Sequence, residues 1–340
     1  MDFSNYNSYE FYDALFSGKG VVRDLAKPLF DYMGKLSIKD LKNRQKAAES
    51  IFFREGVTFN VYGDKKGSEK IFPFDLIPLI ISGKEWLNVE KGLIQRVKAL
   101  NCFITDVYGP KEILKKKLIP QDLVFGSKNY LPQCEGLKPK NDIWVHISGS
   151  DLIRDESGKF YVLEDNLRCP SGVSYVLENR AILKRTFSDA FTTIGVRSVD
   201  NYSDHLLTTL QEASYSDPSN SKVVLLTPGP YNSAYFEHVF LAQQMGIDLV
   251  EPGDLMTDSN SVKMKTTSGL EKIDVIYRRV DDEFLDPKAF RKDSLLGVPG
   301  VMKLYKEQKL ALVNAPGAGI ADDKSIYPYV SDMIKFYLQE

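Results

Sequence analysis

The sequence V-H-I-S-G-S-D-L-I-R (145–154), D-E-S-G-K (155–159) and F-Y-V-L-E-D-N-L-R-C-P-S-G (160–172) decides the fold prediction. The first and last pieces predict β-strands, and the middle piece predicts the turn that joins them. Asp151 lies on the first strand, and Glu164 and Asn166 lie on the second. Residues two apart on a strand point to the same face, and a hairpin brings Asp151 beside both.

Two carboxylates and one amide oxygen are the hard ligands that Mg²⁺ prefers when phosphates complete its coordination shell. The apolar run from Phe160 to Leu163 predicts a buried strand, which puts the acids where the core meets a cleft. An unpaired desolvated carboxylate is costly, so acids in such a place need a partner. Solvated polar side chains at the end of a hairpin are the alternative interpretation, and residue type and spacing leave both open.

The composition narrows the class of protein. The chain has 340 residues, 43% hydrophobic and 26% charged, which is typical of a globular protein of two or three domains. A net charge of −2 gives no support for binding to nucleic acid or to an anionic membrane. Three scattered cysteines favour a reducing compartment, and their spacing argues against a structural zinc site. With no secretion signal and no long apolar run, we expect a cytoplasmic protein.

A polar segment at 215–221 separates two kinds of sequence pattern. Before it, apolar residues between 84 and 108 recur at three- and four-residue spacing, which predicts a long core helix. After it, a β-branched strand (222–227), a loop, a helix (234–245) and a second strand (247–251) predict the opening of a doubly wound sheet. We therefore predict an α/β fold class with a domain boundary at 215–221.

Open α/β sheets bind ligands at the carboxyl ends of their strands, and several polar clusters lie at such ends. Arg168 follows Asn166 by two residues, where its guanidinium either clamps a carboxylate or phosphoryl group or stays at the surface. The hydroxyl-rich loop Thr227–Ser233 suits a substrate held by backbone N–H groups at a helix N-terminus. The alternative is that this segment is an ordinary loop without a binding role. It also contains Gly229, Tyr231 and Asn232.

Charged and polar residues also follow two later strands. Arg278 and Arg279 end a predicted buried strand, where arginines are costly unless they are paired. Either a following aspartate neutralises them, or they meet an anionic substrate, which we favour slightly for Arg279. Asn314 and Lys324 form the last cluster, in which Lys324 either reaches a phosphate or is solvated.

Several long motifs resemble one family. They are G-V-T-F-N-V-Y-G-D (56–64), I-F-P-F-D-L-I-P (71–78), Y-V-L-E-D-N-L-R-C-P-S-G-V-S-Y-V-L-E-N-R (161–180), L-L-T-P-G-P-Y-N-S-A-Y-F-E-H (225–238), D-V-I-Y-R-R-V-D-D-E-F-L-D-P (274–287) and N-A-P-G-A-G-I-A-D-D-K (314–324). Together they are similar to the circularly permuted type 2 ATP-grasp family, whose members are often labelled glutathionylspermidine-synthase-like.

The resemblance implies a circularly permuted ATP-grasp-like fold with a doubly wound pre-ATP-grasp-type domain. It also implies an ATP- and Mg²⁺-dependent ligase that activates a small-molecule or peptide carboxylate as an acyl phosphate and joins it to an amine. An acid followed by Glu-x-Asn is the family's metal motif, which Asp151, Glu164 and Asn166 match. The other implied site residues are Arg168, Ser171, Gly172 and Lys324 for ATP and its phosphoryl group, and Arg278, Arg279, Asn314 and the loop Thr227–Ser233 for the substrate.

The resemblance also assigns domains. Residues 1–214 are expected to hold a helical arm and the metal-binding half of the ATP-grasp, and residues 222–325 the substrate domain. Residues 326–340 would begin the nucleotide-clamping half, so we expect either a piece of a longer protein or a natural truncation. A non-catalytic binding or scaffold module on a truncated ATP-grasp fold is the first alternative. A Mg²⁺ phosphohydrolase that uses the same three oxygen ligands is the second.

Overall fold

The computed structural model describes residues 3–7, 9–60 and 69–340, in which helices and short strands are mixed. The predicted strand at 56–63 lies partly outside these residues. The helices are α1 (Lys27–Met33), α2 (Ile38–Arg54), α3 (Gly83–Val107), α4 (Glu112–Lys115), α5 (Gln121–Phe125), α6 (Val173–Thr186), α7 (Ser188–Ile194), α8 (Tyr202–Glu212), α9 (Tyr235–Met245), α10 (Asp282–Leu285), α11 (Val301–Lys306) and α12 (Val330–Met333). The strands are β1 (Phe16–Gly18), β2 (Val21–Val22), β3 (Thr58–Asn60), β4 (Glu69–Ile71), β5 (Gly149–Arg154), β6 (Phe160–Asn166), β7 (Val223–Leu226), β8 (Asp248–Val250), β9 (Leu255–Thr257), β10 (Val262–Thr266), β11 (Gly269–Ile273), β12 (Val275–Arg278) and β13 (Ala311–Val313).

The chain divides into two compact units. The first unit contains Met1–Lys91, Leu152–Leu163 and Gly172–Asn201, and the second unit contains Gly92–Asp151, Glu164–Ser171 and Tyr202–Glu340. The predicted boundary at 215–221 lies inside the second unit, where Pro218–Asn220 form a 3-10 turn. The assignment of separate domains on either side of it stays a prediction.

The first unit contains α1, α2, α6 and α7 and the first turns of α3. Helix α2 begins where Ser37 Oγ accepts the backbone N–H of Asp40 at 3.1 Å, and the Asp40 carboxylate accepts the N–H of Ser37 at 3.0 Å. This reciprocal cap satisfies two N-terminal amides that the helix itself leaves unpaired. Buried Leu76, Phe187 and Ala190 form the local core.

The hairpin of β5 and β6 confirms the predicted pair of strands, but the expected burial of the run from Phe160 to Leu163 is wrong. Tyr161 is 44% exposed and Leu163 is 57% exposed. The two strands form a sheet of their own, without further strands at either edge among the described residues. A two-stranded sheet leaves one of its faces open, so an apolar run alone was not enough to predict burial.

A four-stranded parallel sheet, in the order β13-β12-β7-β8, forms the centre of the second unit. Every residue of β7, β12 and β13 is buried, as expected of parallel strands that are covered on both faces. The predicted β-loop-α-β order is confirmed by β7, α9 and β8. Because parallel strands share a direction, Thr227, Arg278 and Asn314 lie at the same edge of this sheet.

The core of the second unit extends from α3 to the last helical turns. Buried residues of α3, such as Phe103 and Ile104, belong to one apolar cluster with Val330 and Met333 of α12. A π-helical turn, Ile334–Leu338, follows, and Tyr337 Oη donates to Asp106 of α3 at 2.8 Å. Across the described part of the chain, even the 25-residue α3 lacks the apolar length that a membrane crossing requires.

The side chain of Asn314, directly after β13, is buried and bonds to two distant backbone segments. Its Oδ1 accepts the N–H groups of His146 at 3.0 Å and Ile147 at 3.1 Å. Its Nδ2 donates to the carbonyl of Ile147 at 2.6 Å and to that of Leu167 at 2.8 Å. One carboxamide therefore joins the edge of the parallel sheet to the chain just before β5 and just after β6.

We expect Asn314→Ala to lower the free energy of unfolding by about 3 kcal/mol or more, because an unpaired buried polar group costs roughly 1–3 kcal/mol. Urea unfolding followed by tryptophan fluorescence measures the change, since Trp144 is buried in the same unit. Asn220→Ala is the matched control, because the side chain of Asn220 bonds to exposed Asp217 on the surface. An unchanged unfolding midpoint in Asn314→Ala would contradict this structural role.

Candidate functional site

The carboxyl groups of Asp151 on β5 and Glu164 on β6 lie beside each other near the open end of the hairpin, where each shifts the pKa of the other. Partial burial and the neighbouring Glu164 raise the pKa of Asp151 above its ordinary value. Two like charges held this close repel each other, and a bound proton or cation relieves the repulsion. The predicted proximity of these two acids is therefore present.

Lys324 supplies a positive charge at this pair. Its Nζ lies 2.9 Å from Glu164 Oε2, and the contact lowers the pKa of Glu164. The lysine side chain is 79% exposed, so it holds this position without being enclosed. The 3-10 helix Ala318–Asp322 ends just before Lys324, where Asp323 accepts the N–H of Ser325 at 3.0 Å.

The acid between the two predicted ligands has a different role. Asp165 is 1% exposed, and it accepts hydrogen bonds from Ser150 Oγ and from Arg96 Nε, both at 2.7 Å. It therefore fixes the hairpin to α3 instead of facing the site. Within the described ranges, no three His, Cys, Asp or Glu side chains group together as metal ligands.

Asn166 is exposed at the end of β6, two residues beyond Glu164. A Cβ atom added at Gly149 would lie 3.7 Å from the Cβ of Asn166, so the two residues face each other across the hairpin. The end of the hairpin offers the carboxylates of Asp151 and Glu164, and Asn166 is the predicted third ligand through its amide oxygen. This is an oxygen-only set of the kind that suits Mg²⁺.

Arg168 lies just beyond the hairpin, with 40% of its side chain exposed. Its Nε donates to Asp322 Oδ2 at 3.0 Å. The following loop is also anchored, because Ser171 Oγ donates to Glu237 Oε1 at 2.8 Å. Gly172, with a φ of +113°, is the N-cap of α6 in the first unit.

The two arginines after β12 are buried and internally paired. Arg278 is 0% exposed, and its guanidinium donates to the carbonyls of Asn314 at 2.7 Å and Val280 at 2.8 Å and pairs with Asp282 at 2.7 Å. Arg279 pairs with Glu237 at 3.1 Å, and its side chain is 2% exposed. This placement favours structural roles for Arg278 and Asn314 over the predicted contact with substrate.

The loop Thr227–Ser233 combines a fixed base with an exposed tip. Thr227 is buried, and its Oγ1 lies 2.9 Å from Nδ1 of His238, whose pKa burial lowers to about 3, so the imidazole is neutral. Gly229 has a φ of +102°, and Asn232 Oδ1 accepts the N–H of Ala234 at 2.9 Å. Tyr231 is 94% exposed at the tip, two residues before Ser233 and four before the start of α9.

Sequence reasoning missed Asp322 and Gly319, which lie against Arg168. A Cβ atom added at Gly319 would be 2.7 Å from Arg168 Cδ. Both residues stand in the motif N-A-P-G-A-G-I-A-D-D-K, which carried the family resemblance but gave no hint of a partner 154 residues away. Only the folded chain brings the two segments together.

Comparison with known proteins gives relatives along almost the whole chain. An uncharacterized protein of Synechocystis is 53% identical over 340 residues, which are 100% of this chain and 71% of that protein. An uncharacterized protein of Mycobacterium tuberculosis is 46% identical over 342 residues, and the chain spans 61% of it. A putative glutamate–cysteine ligase of Frankia alni is 34% identical over 336 residues, and the chain spans 38% of its length.

A solved structure and a family model agree on the fold. The apo structure of a glutathione synthetase-like effector from Globodera pallida matches with a TM-score of 0.55 over 88% of this chain and 68% of that one, at 13% sequence identity. The model for circularly permuted ATP-grasp type 2 matches residues 78–340. The predicted fold class is confirmed, and the chain belongs to the circularly permuted ATP-grasp type 2 family.

Proposed function

We propose that the second unit carries the metal- and phosphate-binding part of an ATP- and Mg²⁺-dependent carboxylate–amine ligase. The observation that carries this proposal is the ion pair at the hairpin end, where Lys324 Nζ lies 2.9 Å from Glu164 Oε2 and Asp151 lies beside Glu164. A pair of adjacent carboxylates that already attracts a cation is suited to a divalent ion. Membership of an ATP-grasp family supports the same chemistry.

Asp151, Glu164 and Asn166 would hold Mg²⁺. Their oxygen atoms are the hard ligands that this ion takes, and incomplete protein ligation leaves coordination positions for phosphate oxygens. The ion would neutralise phosphate charge when bound. Lys324 lies at the same carboxylate, so we expect its ammonium to move to a phosphate oxygen when a divalent ion takes its place.

The reaction would use the neighbouring residues for binding and orientation. An oxygen of the acid substrate attacks the terminal phosphorus of ATP, which forms an acyl phosphate and releases ADP; the amine then attacks the acyl carbon and releases phosphate. Arg168 would stabilise charge on the transferring phosphoryl group, beside Ser171 and Gly172. The exposed part of the loop Thr227–Ser233, with Tyr231 at its tip, would contact the acid substrate. Arg279, which is buried and pairs with Glu237 of α9, would support this loop.

Two kinds of comparison support a ligase that joins an acid to an amine. Putative glutamate–cysteine ligases of Frankia alni and Frankia casuarinae are 34% and 32% identical to this chain. The structural neighbour is described as glutathione synthetase-like. Both names concern small carboxylate and amine substrates, and we propose that class for this protein.

The burial of Arg278, Arg279 and Asn314 favours a second candidate, a non-catalytic binding module on the same fold. All three of these predicted substrate residues are paired inside the second unit. Such a module would bind a partner without consuming ATP. Calorimetric titration of the full-length protein with Mg²⁺ and ATP separates the candidates, because only the ligase requires nucleotide binding.

In the full-length protein, Asp151→Asn and Glu164→Gln should each weaken binding of Mg²⁺·ATP by about tenfold or more, since a charged contact contributes roughly 1.5–3 kcal/mol. Isothermal titration calorimetry measures the dissociation constant. Glu156→Gln, in the exposed turn of the same hairpin, removes one negative charge as a control and should bind like the wild type. Wild-type affinity in both site variants would show that these carboxylates do not hold the metal.

We expect Lys324→Gln to bind Mn²⁺ alone about two- to fivefold more tightly, because an exposed ion pair contributes at most about 1 kcal/mol. The same variant should bind Mg²⁺·ATP more weakly, since a phosphate contact is lost. Electron paramagnetic resonance of free Mn²⁺ measures the first change and calorimetry the second. Lys303→Gln, whose lysine is exposed and pairs with Glu307, is the control. A parallel loss of both affinities would contradict competition between the ammonium and the metal ion.

A further inference from the structure

The guanidinium of Arg168 is fixed through one of its three nitrogens. Nε donates to Asp322 Oδ2 at 3.0 Å, and in the described part of the chain neither terminal nitrogen makes a hydrogen bond. A guanidinium can bind an anion through two parallel N–H groups. Contact at Nε alone leaves the edge formed by the two Nη atoms available for such a ligand.

Asp322 is itself held in place. Its carboxylate is 6% exposed and also accepts the backbone N–H of Leu167 at 3.3 Å, one residue before the arginine. Tyr327 Oη accepts the N–H of Asp165 at 3.0 Å and lies 3.1 Å from the carbonyl of Asp322. These contacts fix the carboxylate relative to the end of the hairpin that carries Glu164.

Gly319 leaves the space through which the arginine side chain passes. A Cβ atom there would lie 2.7 Å from Arg168 Cδ, 3.1 Å from Cγ and 3.3 Å from Nε. The backbone of Gly319 is not in the left-handed region, so an alanine can adopt its conformation. Space for the arginine, and not backbone conformation, is what requires a glycine here.

We propose that Asp322 and Gly319 are positioning residues that hold the two terminal nitrogens of Arg168 toward the transferring phosphoryl group of ATP. Asp322 fixes the guanidinium from its Nε side, and Gly319 allows the side chain to reach that carboxylate. The inference rests on the proposed function, since it assigns a role to Arg168 at the nucleotide. A displacement of about 1 Å in such a group is enough to lose about 10²-fold in rate.

The test compares Mg²⁺·ATP with Mg²⁺·ADP, because only ATP carries the phosphoryl group that Arg168 would contact. Gly319→Ala in the full-length protein should weaken binding of Mg²⁺·ATP about tenfold, with the affinity for Mg²⁺·ADP unchanged. This variant keeps every charge and every hydrogen-bonding group. A general structural defect would instead lower both affinities. Gly253→Ala is the matched control, because an added Cβ there meets nothing within 4 Å.

Double variants separate this inference from the proposed function. Arg168→Ala should show the same selective loss for ATP, and Gly319→Ala or Asp322→Ala should add no further loss in that background. If Arg168→Ala is selective but Gly319→Ala binds ATP like the wild type, the positioning role is overturned and the proposed function stands. A further loss of ATP affinity when Gly319→Ala or Asp322→Ala is added to Arg168→Ala, as large as in the single variant, also overturns the positioning role. A wild type that binds neither nucleotide overturns both proposals.

Discussion

Asn314 follows β13 with its carboxamide buried, and both of its polar atoms bond to backbone groups of distant segments. On one side it holds His146 and Ile147, just before β5 begins. On the other side it holds Leu167, just after β6 ends. The two ends of the hairpin are therefore brought to one point at the edge of the parallel sheet. Asp151 and Glu164 lie two residues inside the ends of β5 and β6, so this side chain holds the acid pair at the edge of the parallel sheet.

The charges at this edge divide into buried pairs and an exposed pair. Arg278 with Asp282 and Arg279 with Glu237 are removed from water, where each charge is tolerated because its partner is close. Asp151 and Glu164 instead face each other as like charges, and the positive charge that balances them comes from an exposed lysine. Buried opposite charges hold the sheet and its loops together. The acid pair of the hairpin, in contrast, has its balancing charge on a side chain that is 79% exposed.

Local sequence patterns predicted the parts of the fold that depend on local interactions. The long core helix appears as α3, and the β-branched run after the polar segment appears as the buried strand β7. The hairpin and the proximity of its two acids followed from alternation along a strand. The predicted burial of Tyr161 and Leu163 is wrong, because the burial of a strand depends on what covers the hairpin and not on the strand itself.

Long-range partners could not be predicted in the same way. Asn314 and Arg278 looked like ligand-binding residues because polar side chains at strand ends often are, but their partners lie up to 168 residues away in the sequence. Asp322 and Gly319 show the reverse case, since nothing in their local pattern indicated that they contact an arginine. The family resemblance identified the motif that contains them but not the contact.

Arg168 and Arg279 show how partners distinguish two arginines that look equivalent in the sequence. Each follows the end of a strand and each has an acid as its partner. Arg279 donates through both terminal nitrogens, to Tyr277 and Glu237, with its side chain 2% exposed and only Nε unpaired. Among the described residues, Arg168 donates through Nε alone, and its side chain is 40% exposed. Two terminal nitrogens can bind an anion in parallel, so Arg168 keeps an edge open for an anion, whereas Arg279 has the geometry of a structural support.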